Sequence, residues 1–165
     1  MLTTEQIKGK VVLLHGKREN VAPLLINTAV RMQENSKVLF IDTINCLTPQ
    51  FVSKHCHKPM KSKVDKIFIS RPQSVHELYS FIDRLDELFE KTKLRTLVIS
   101  SINLPFNSAT DNEQKMYLAP ILDKIDFLTK KYNLSTFIGN TTNPKENSGS
   151  VNKVLAKKIE LIYAV

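Results

Sequence analysis

The sequence is poor in the residues that mark several common classes of protein. Among 165 residues it has no tryptophan, 2 cysteines and 4 glycines. Two cysteines cannot build a disulfide framework, and neither Cys46 nor Cys56 belongs to a Cys-x-x-Cys pair, which argues against zinc-ribbon and thioredoxin-like proteins. With 42% hydrophobic residues and few glycines, the composition is that of a globular protein rather than a disordered or fibrous one.

Long apolar runs are absent as well. No stretch approaches the roughly 18 residues of a membrane span, and the start, Met1-Leu2-Thr3-Thr4-Glu5, lacks the order of a signal peptide. We therefore expect a cytoplasmic protein without a membrane partner. A single domain over residues 1–165 is expected, without a separate N-terminal helical domain, because only about ten residues precede the first apolar run.

Motifs of enzyme active sites are also missing. The chain has no Gly-x-Ser-x-Gly, no His-Glu-x-x-His, no Gly-x-Gly-x-x-Gly and no pair of acids at predicted strand ends. His55-Cys56-His57 offers soft ligands, but alternate residues of an extended chain point to opposite sides. We therefore predict no catalytic residue and no metal site.

Six apolar runs of strand length recur along the chain. They are nearly continuous in hydrophobicity, which is typical of strands buried on both faces of a parallel sheet. They cover residues 10–15, 37–42, 66–70, 95–100, 134–139 and 158–164. The pattern predicts a three-layer α/β/α domain with a mostly parallel central sheet, in which ligands bind at the carboxyl ends of the strands.

Helical spacing and capping residues appear between these runs. A helix over 74–93 follows the capping box Ser74-x-x-Glu77, and one over 111–132 follows Thr110-x-x-Glu113, with Pro120 expected to kink or split it. Two further helices are predicted over 20–34 and from Thr48-Pro49 onward. The longest loops are expected at 103–110 and 141–151.

The order of four segments resembles the core of the RecA/RadA recombinases, a P-loop ATPase fold. Along the chain they are Val11-Val12-Leu13-Leu14-His15-Gly16, Ile41-Asp42-Thr43-Ile44-Asn45, Leu97-Val98-Ile99-Ser100-Ser101 and Phe137-Ile138-Gly139-Asn140. The resemblance implies a phosphate loop after the first strand, a Walker B strand as the fourth, and DNA-binding loops after the fourth and fifth strands.

The chain departs from that family at the residues that carry its chemistry. The segment 16–23 lacks the Gly-Lys-Thr of a phosphate loop and is about one residue short. Ile44 stands where the resemblance implies a glutamate base, and Ser100 where it implies the Walker B carboxylate. We therefore expect neither ATP nor Mg²⁺ as a cofactor, and leave Gly16, Lys17 and Arg18 as the candidate contacts to a nucleotide in a degenerate loop.

Positive charge is in excess and locally concentrated. The chain has 24 Lys and Arg against 16 Asp and Glu, a net charge of +8. Between Lys54 and Arg71 the only acid is Asp65, a distribution that favours a phosphate backbone as partner, although a solvated charge run remains an equal alternative. The candidate contacts to nucleic acid are Lys54, His55, His57, Lys58, Lys61, Lys63 and Arg71, with Asn143, Lys145, Asn147 and Lys153 near the fifth strand.

Together these features predict a non-catalytic RecA-like accessory protein of DNA recombination and repair. Its partners would be nucleic acid, DNA more than RNA, and a RecA/RadA-type recombinase or another RecA-like subunit. Two alternatives stay open. One is a protein-docking subunit of a RecA-like assembly, as in the Elongator ring that holds tRNA, and the other is a divergent ATP-binding protein.

Overall fold

A computed structural model describes residues 4–55, 64–142 and 149–165 of the chain. The strands are β1 (Lys10–Lys17), β2 (Lys37–Ile41), β3 (Ile67–Ser70), β4 (Leu94–Ile99), β5 (Ser135–Thr142) and β6 (Leu161–Ala164). The helices are α1 (Thr4–Ile7), α2 (Arg18–Met32), α3 (Pro49–His55), α4 (Val75–Asp83), α5 (Leu85–Lys91), α6 (Asp111–Lys131) and α7 (Gly149–Lys158), with a 3₁₀ turn at Leu104–Phe106.

The six strands form one sheet in the order β3-β2-β4-β5-β1-β6, and every pairing is parallel. The predicted α/β class with a mostly parallel sheet is thus confirmed. In this order β4 and β5 lie between β1 and β2, which differs from the 3-2-1-4-5-6 order of the dinucleotide-binding fold.

A hydrophobic cluster covers each face of the sheet. Val38, Phe40 and Val98 pack with α2 on one face, whereas Leu39 and Leu97 pack with α4, α5 and α6 on the other. Because side chains alternate between the faces of a strand, a strand covered on both sides must be apolar at every position. This requirement explains the nearly continuous apolar runs of the sequence.

Several element boundaries differ from the sequence prediction. The predicted helix 74–93 is divided at Arg84 into α4 and α5, and both parts bury their apolar positions. Pro120 neither splits nor ends α6. Its ring is exposed, so the hydrogen bond that proline cannot donate is lost on the solvent side of the helix. Residues 149–158, partly assigned to a loop, form α7.

The predicted helix starts are confirmed where the caps are strongest. The Ser74 side chain accepts a hydrogen bond from the Glu77 N–H, and Thr110 and Glu113 form a complete capping box. Among the helices that the structure describes, none has the combination of length and apolar character that crossing a bilayer requires.

Asp86 connects α5 to α6 through a network of hydrogen bonds. Its carboxylate accepts from the Lys124 ammonium, from Lys131 Nζ at 3.0 Å and from the Tyr132 hydroxyl at 3.1 Å. The hydrogen bond from Lys124 is the largest cause that lowers the pKa of Asp86, to about 2. The network stabilises the ionised carboxylate in the folded protein.

We predict that Asp86→Asn lowers the free energy of unfolding by about 1 kcal/mol at neutral pH, a value reduced for solvent screening. The folded pKa lies below the ordinary value of about 3.9. The contribution is therefore present above about pH 4 and is lost as the pH falls toward 2. Urea denaturation at neutral and acidic pH measures the difference, with the exposed Asp83→Asn as control. An equal destabilisation at both pH values would contradict this account.

Candidate functional site at the carboxyl edge of the sheet

All parallel strands end at the same edge of the sheet, which is where ligands of α/β proteins bind. Here the strand ends bring together His15 and Lys17 of β1, Asp42 after β2, Ser100 after β4 and Asn140 of β5. These are the positions at which the sequence places the remnants of a nucleotide site.

The loop that the resemblance implies after the first strand does not form, because α2 begins directly after the last residue of β1. Gly16 and Lys17 continue β1 and pair with Thr141 and Thr142 of β5, and α2 begins at the next residue, Arg18. A phosphate cradle needs a turn whose successive backbone N–H groups point at one anion. The parallel ladder instead holds this backbone extended.

The three candidate nucleotide contacts do not converge on a common space. A Cβ on Gly16 would lie 2.1 Å from the carbonyl oxygen of Val165, whose N–H donates to the carbonyl of His15. Lys17 forms an exposed ion pair with Glu19 at 3.9 Å. Arg18 Nη2 donates to the carbonyl oxygen of Ile44 at 2.6 Å and so holds the connection after β2. Each of the three candidates is therefore engaged in a contact within the chain.

Asp42 is fully buried and anchors the connection between β2 and α3. Its two oxygens accept hydrogen bonds from the N–H groups of Cys46, at 2.9 Å, and Leu47, at 3.0 Å. Arg71 Nε lies 3.5 Å from the same carboxylate, while Arg71 Nη2 donates to the Leu47 carbonyl. Asp42 therefore stabilises a loop, and the half-exposed Arg71 takes part in that structure.

Cys46 belongs to the same buried group. Its thiol donates to Asp42 Oδ1 at 3.3 Å, and burial, followed by the Asp42 charge, raises the pKa of the thiol. The thiol is therefore held protonated and unreactive. Within residues 4–55, 64–142 and 149–165, no group of three or more His, Cys, Asp or Glu side chains is placed to hold a metal ion.

Ser100 occupies the position implied for a metal-binding carboxylate and makes neutral hydrogen bonds. Thr43 Oγ1 donates its hydrogen to the Ser101 carbonyl at 2.6 Å. Because a hydroxyl has only one hydrogen, Ser100 is the donor in the 3.2 Å hydrogen bond between the Ser100 and Thr43 hydroxyls. The Ser100 hydroxyl also accepts from the N–H of Ile44 at 3.3 Å. These contacts join the ends of β2 and β4.

A second neutral group joins the ends of β4 and β5. Asn103 makes two hydrogen bonds with the backbone of Thr141, donating to its carbonyl at 2.6 Å and accepting from its N–H at 3.0 Å. The Ser101 hydroxyl donates to Asn103 Oδ1 at 2.8 Å and accepts from the Thr141 hydroxyl at 2.9 Å. All three side chains are buried. We call the residues Thr43, Ser100, Ser101, Asn103 and Thr141 the neutral edge network.

Sequence reasoning missed most of this network. It interpreted Ser100 as a lost carboxylate and placed Asn103 and Thr141 at the starts of the predicted DNA-contacting loops. It gave no role to Thr43 or Ser101. The available signal was a cluster of small polar residues directly after a strand that is otherwise wholly apolar. Such residues at a buried strand end need hydrogen-bond partners, and the neighbouring strand ends supply them.

His15 and Asn140 form a third polar group. Asn140 Nδ2 lies 3.0 Å from His15 Nδ1 and 2.7 Å from Oδ1 of Asn152 on α7. Asn140 is buried, and its Oδ1 has no hydrogen-bond partner in the part of the chain that the structure describes. The contacts connect α7 to the ends of β1 and β5.

The candidate contacts to nucleic acid are spread over several elements. Lys54 is exposed near the end of α3, which His55 terminates, Arg71 follows β3, and Lys153 is exposed on α7 rather than in a loop. Seven further candidates lie outside the described residues. They are His57, Lys58, Lys61, Lys63, Asn143, Lys145 and Asn147.

We predict that Asp42→Asn lowers the free energy of unfolding by about 2 to 3 kcal/mol, because an amide has one acceptor oxygen where the carboxylate serves two buried N–H groups. Urea denaturation measures the loss. The exposed Asp65→Asn makes the same chemical change without buried partners and should be nearly neutral. A small effect of Asp42→Asn would show that the carboxylate does not anchor the loop.

No protein-family model matches the chain, and no curated protein matches its sequence.

Proposed function

We propose that the protein is a RecA-like accessory protein without ATPase activity, which binds nucleic acid, DNA more readily than RNA, beside a recombinase or another RecA-like subunit in recombination and repair. The observation that carries the proposal is the direct junction of β1 and α2, next to the neutral edge network.

Nucleotide hydrolysis needs groups that this edge does not offer. Phosphoryl transfer depends on a backbone cradle, a Mg²⁺ ion held by a carboxylate, and a residue that orients the attacking water. Ser100 and Ile44 carry no charge, and the Asp42 carboxylate is occupied by backbone N–H groups. Making a cradle from Gly16 and Lys17 would require their pairing with β5 to break.

The order of polar residues at the carboxyl edge supports the RecA-like part of the proposal. Asp42 follows β2, Ser100 follows β4 and Asn140 lies near the end of β5, which is the order on which the resemblance rests.

Charge supports the nucleic-acid part. The net charge of +8 creates a field that attracts polyanions, and the basic stretch between Lys54 and Arg71 begins on an exposed helix end. Binding through lysines to phosphates requires no catalytic group, and it weakens with salt because bound counterions are released.

We predict that ATP with Mg²⁺ leaves the melting temperature unchanged. A ligand at 100 times its Kd would stabilise the folded state by about 2.7 kcal/mol, which a thermal shift assay detects. Pyrophosphate at equal ionic strength controls for general anion effects. A rise with ATP that depends on Mg²⁺ and is absent with pyrophosphate would contradict the proposal.

We predict salt-sensitive binding to labelled DNA in fluorescence anisotropy, with a log–log slope of about −3 to −5. Replacing Lys58, Lys61 and Lys63 by Gln should make the slope shallower. Replacing Arg84, Lys115 and Lys157 by Gln removes the same charge from other exposed positions and is the matched control. No binding to DNA or RNA at low salt would remove the nucleic-acid proposal.

The edge strand β6 favours a second candidate, a protein-docking subunit. This strand pairs only with β1, and Ile162, Tyr163 and Val165 are 44%, 37% and 37% exposed. An apolar edge strand is able to accept a strand from a partner. Sedimentation over a range of protein concentrations tests self-pairing, and association that Ile162→Lys abolishes would support this candidate.

A further inference from the structure

The amino edge of the sheet, opposite the strand ends described above, carries a row of cations. Lys37 begins β2, Lys66 directly precedes β3, Lys93 directly precedes β4, and Arg95 is the second residue of β4. All four side chains are exposed. We call Lys37, Lys66, Lys93 and Arg95 the basic rim.

The strand pairing places these cations side by side. The Val38 N–H donates to the Lys66 carbonyl at 2.9 Å, and Lys37 pairs with Leu94, which lies between Lys93 and Arg95. The register between β2 and β4 shifts at this point, so that Arg95 is an additional residue in β4. Because neighbouring strands lie about 4.8 Å apart, the rim spans only about 10 Å across three strands.

Like charges on adjacent strands repel one another, and the described carboxylates do not neutralise them. None of the four cations forms an ion pair with a described residue, although Asp65 precedes Lys66 in the chain. Arg95 donates a hydrogen bond to the neutral carbonyl of Leu94. Lysines elsewhere on the surface do pair, as Lys124 and Lys131 do with Asp86. A bound anion would supply the countercharge that the described residues do not provide.

An exposed aromatic ring lies beside this row. Phe68 of the edge strand β3 is 43% exposed and pairs with Leu39, which lies two residues after Lys37 and so on the same face of the sheet. The Lys37 ammonium lies 5.7 Å from the centre of the Phe68 ring. A partly exposed ring beside a cation is an arrangement by which proteins bind single strands without sequence preference.

We propose that the basic rim and Phe68 bind single-stranded nucleic acid, with backbone phosphates along the rim and one base stacked on Phe68. The inference rests on the proposed function and specifies its binding surface. It assigns that surface to the amino edge and to β3, rather than to the loops after the fourth and fifth strands that the resemblance implied. The bases of a duplex stay stacked on one another. A duplex would therefore contact the basic rim through its phosphates but would not stack a base on Phe68.

Removing the rim charges tests the electrostatic part. Each phosphate contact to a single strand contributes about 0.7 to the log–log salt slope, so replacing all four cations by Gln should make the slope shallower by about 3. Affinity for single-stranded DNA at low salt should fall at least tenfold. The matched control replaces Arg84, Lys115, Lys130 and Lys157, four exposed cations elsewhere, by Gln and should lower the affinity less than threefold.

A tryptophan reporter tests the stacking part, since the natural chain contains no tryptophan. Single-stranded DNA should quench the fluorescence of Phe68→Trp, whereas duplex DNA should not. Phe127→Trp is the control, because Phe127 is also exposed, and the two lysine ammoniums within 6 Å of its ring centre, those of Lys124 and Lys131, are paired with Asp86. Phe68→Ala should weaken single-strand binding about tenfold, and Phe68→Tyr should restore it.

The outcomes separate this inference from the function on which it rests. If the unaltered protein binds no nucleic acid, both are overturned. If it binds, and the loss follows Lys58, Lys61 and Lys63 while the rim variant binds normally, only the site assignment is overturned. Equal quenching at positions 68 and 127, or none at position 68, would overturn the stacking of a base on Phe68.

Discussion

The pairing of β1 with β5 as far as Lys17 and Thr142 determines what the carboxyl edge of this sheet is able to do. A phosphate cradle requires the chain to leave the sheet before the helix begins, and here the ladder continues up to the first helical residue. The same extension brings Thr141 beside Asn103 and Ser101, and Asn140 beside His15. The strand ends are thereby joined to one another by neutral hydrogen bonds instead of facing a ligand.

Those neutral contacts satisfy the polar groups at a strand end where the resemblance implies a carboxylate. A lone aspartate at the position of Ser100 would bury a charge near the Asp42 carboxylate, which is costly without a metal ion between them. A hydroxyl at this position finds its partners in Thr43 and the Ile44 N–H. At the amino edge, in contrast, the four exposed cations Lys37, Lys66, Lys93 and Arg95 lie on or beside three neighbouring strands. The two edges therefore differ, because hydrogen bonds join the strand ends at one edge and exposed cations lie at the other.

The sequence predicted the fold class because its apolar runs are continuous, and a strand has that pattern only when both of its faces are covered. Helix starts with a Ser or Thr cap followed by Glu were also predictable, since they depend on local hydrogen bonds at Ser74 and Thr110. The direct junction between β1 and α2 was not predictable from the sequence. Whether Gly16 and Lys17 extend a strand depends on their pairing with β5, which lies more than 120 residues away in the chain. The basic rim was missed for the same reason, as Lys37, Lys66 and Lys93 become neighbours only through strand order.

We propose that this protein binds nucleic acid and does so without a nucleotide. The affinity for single-stranded DNA over a salt series, measured with and without ATP and Mg²⁺ at constant ionic strength, tests both parts at once. We expect binding that weakens steeply with salt, with the same curve in both conditions. Absence of binding at low salt, or binding that requires ATP, would contradict it.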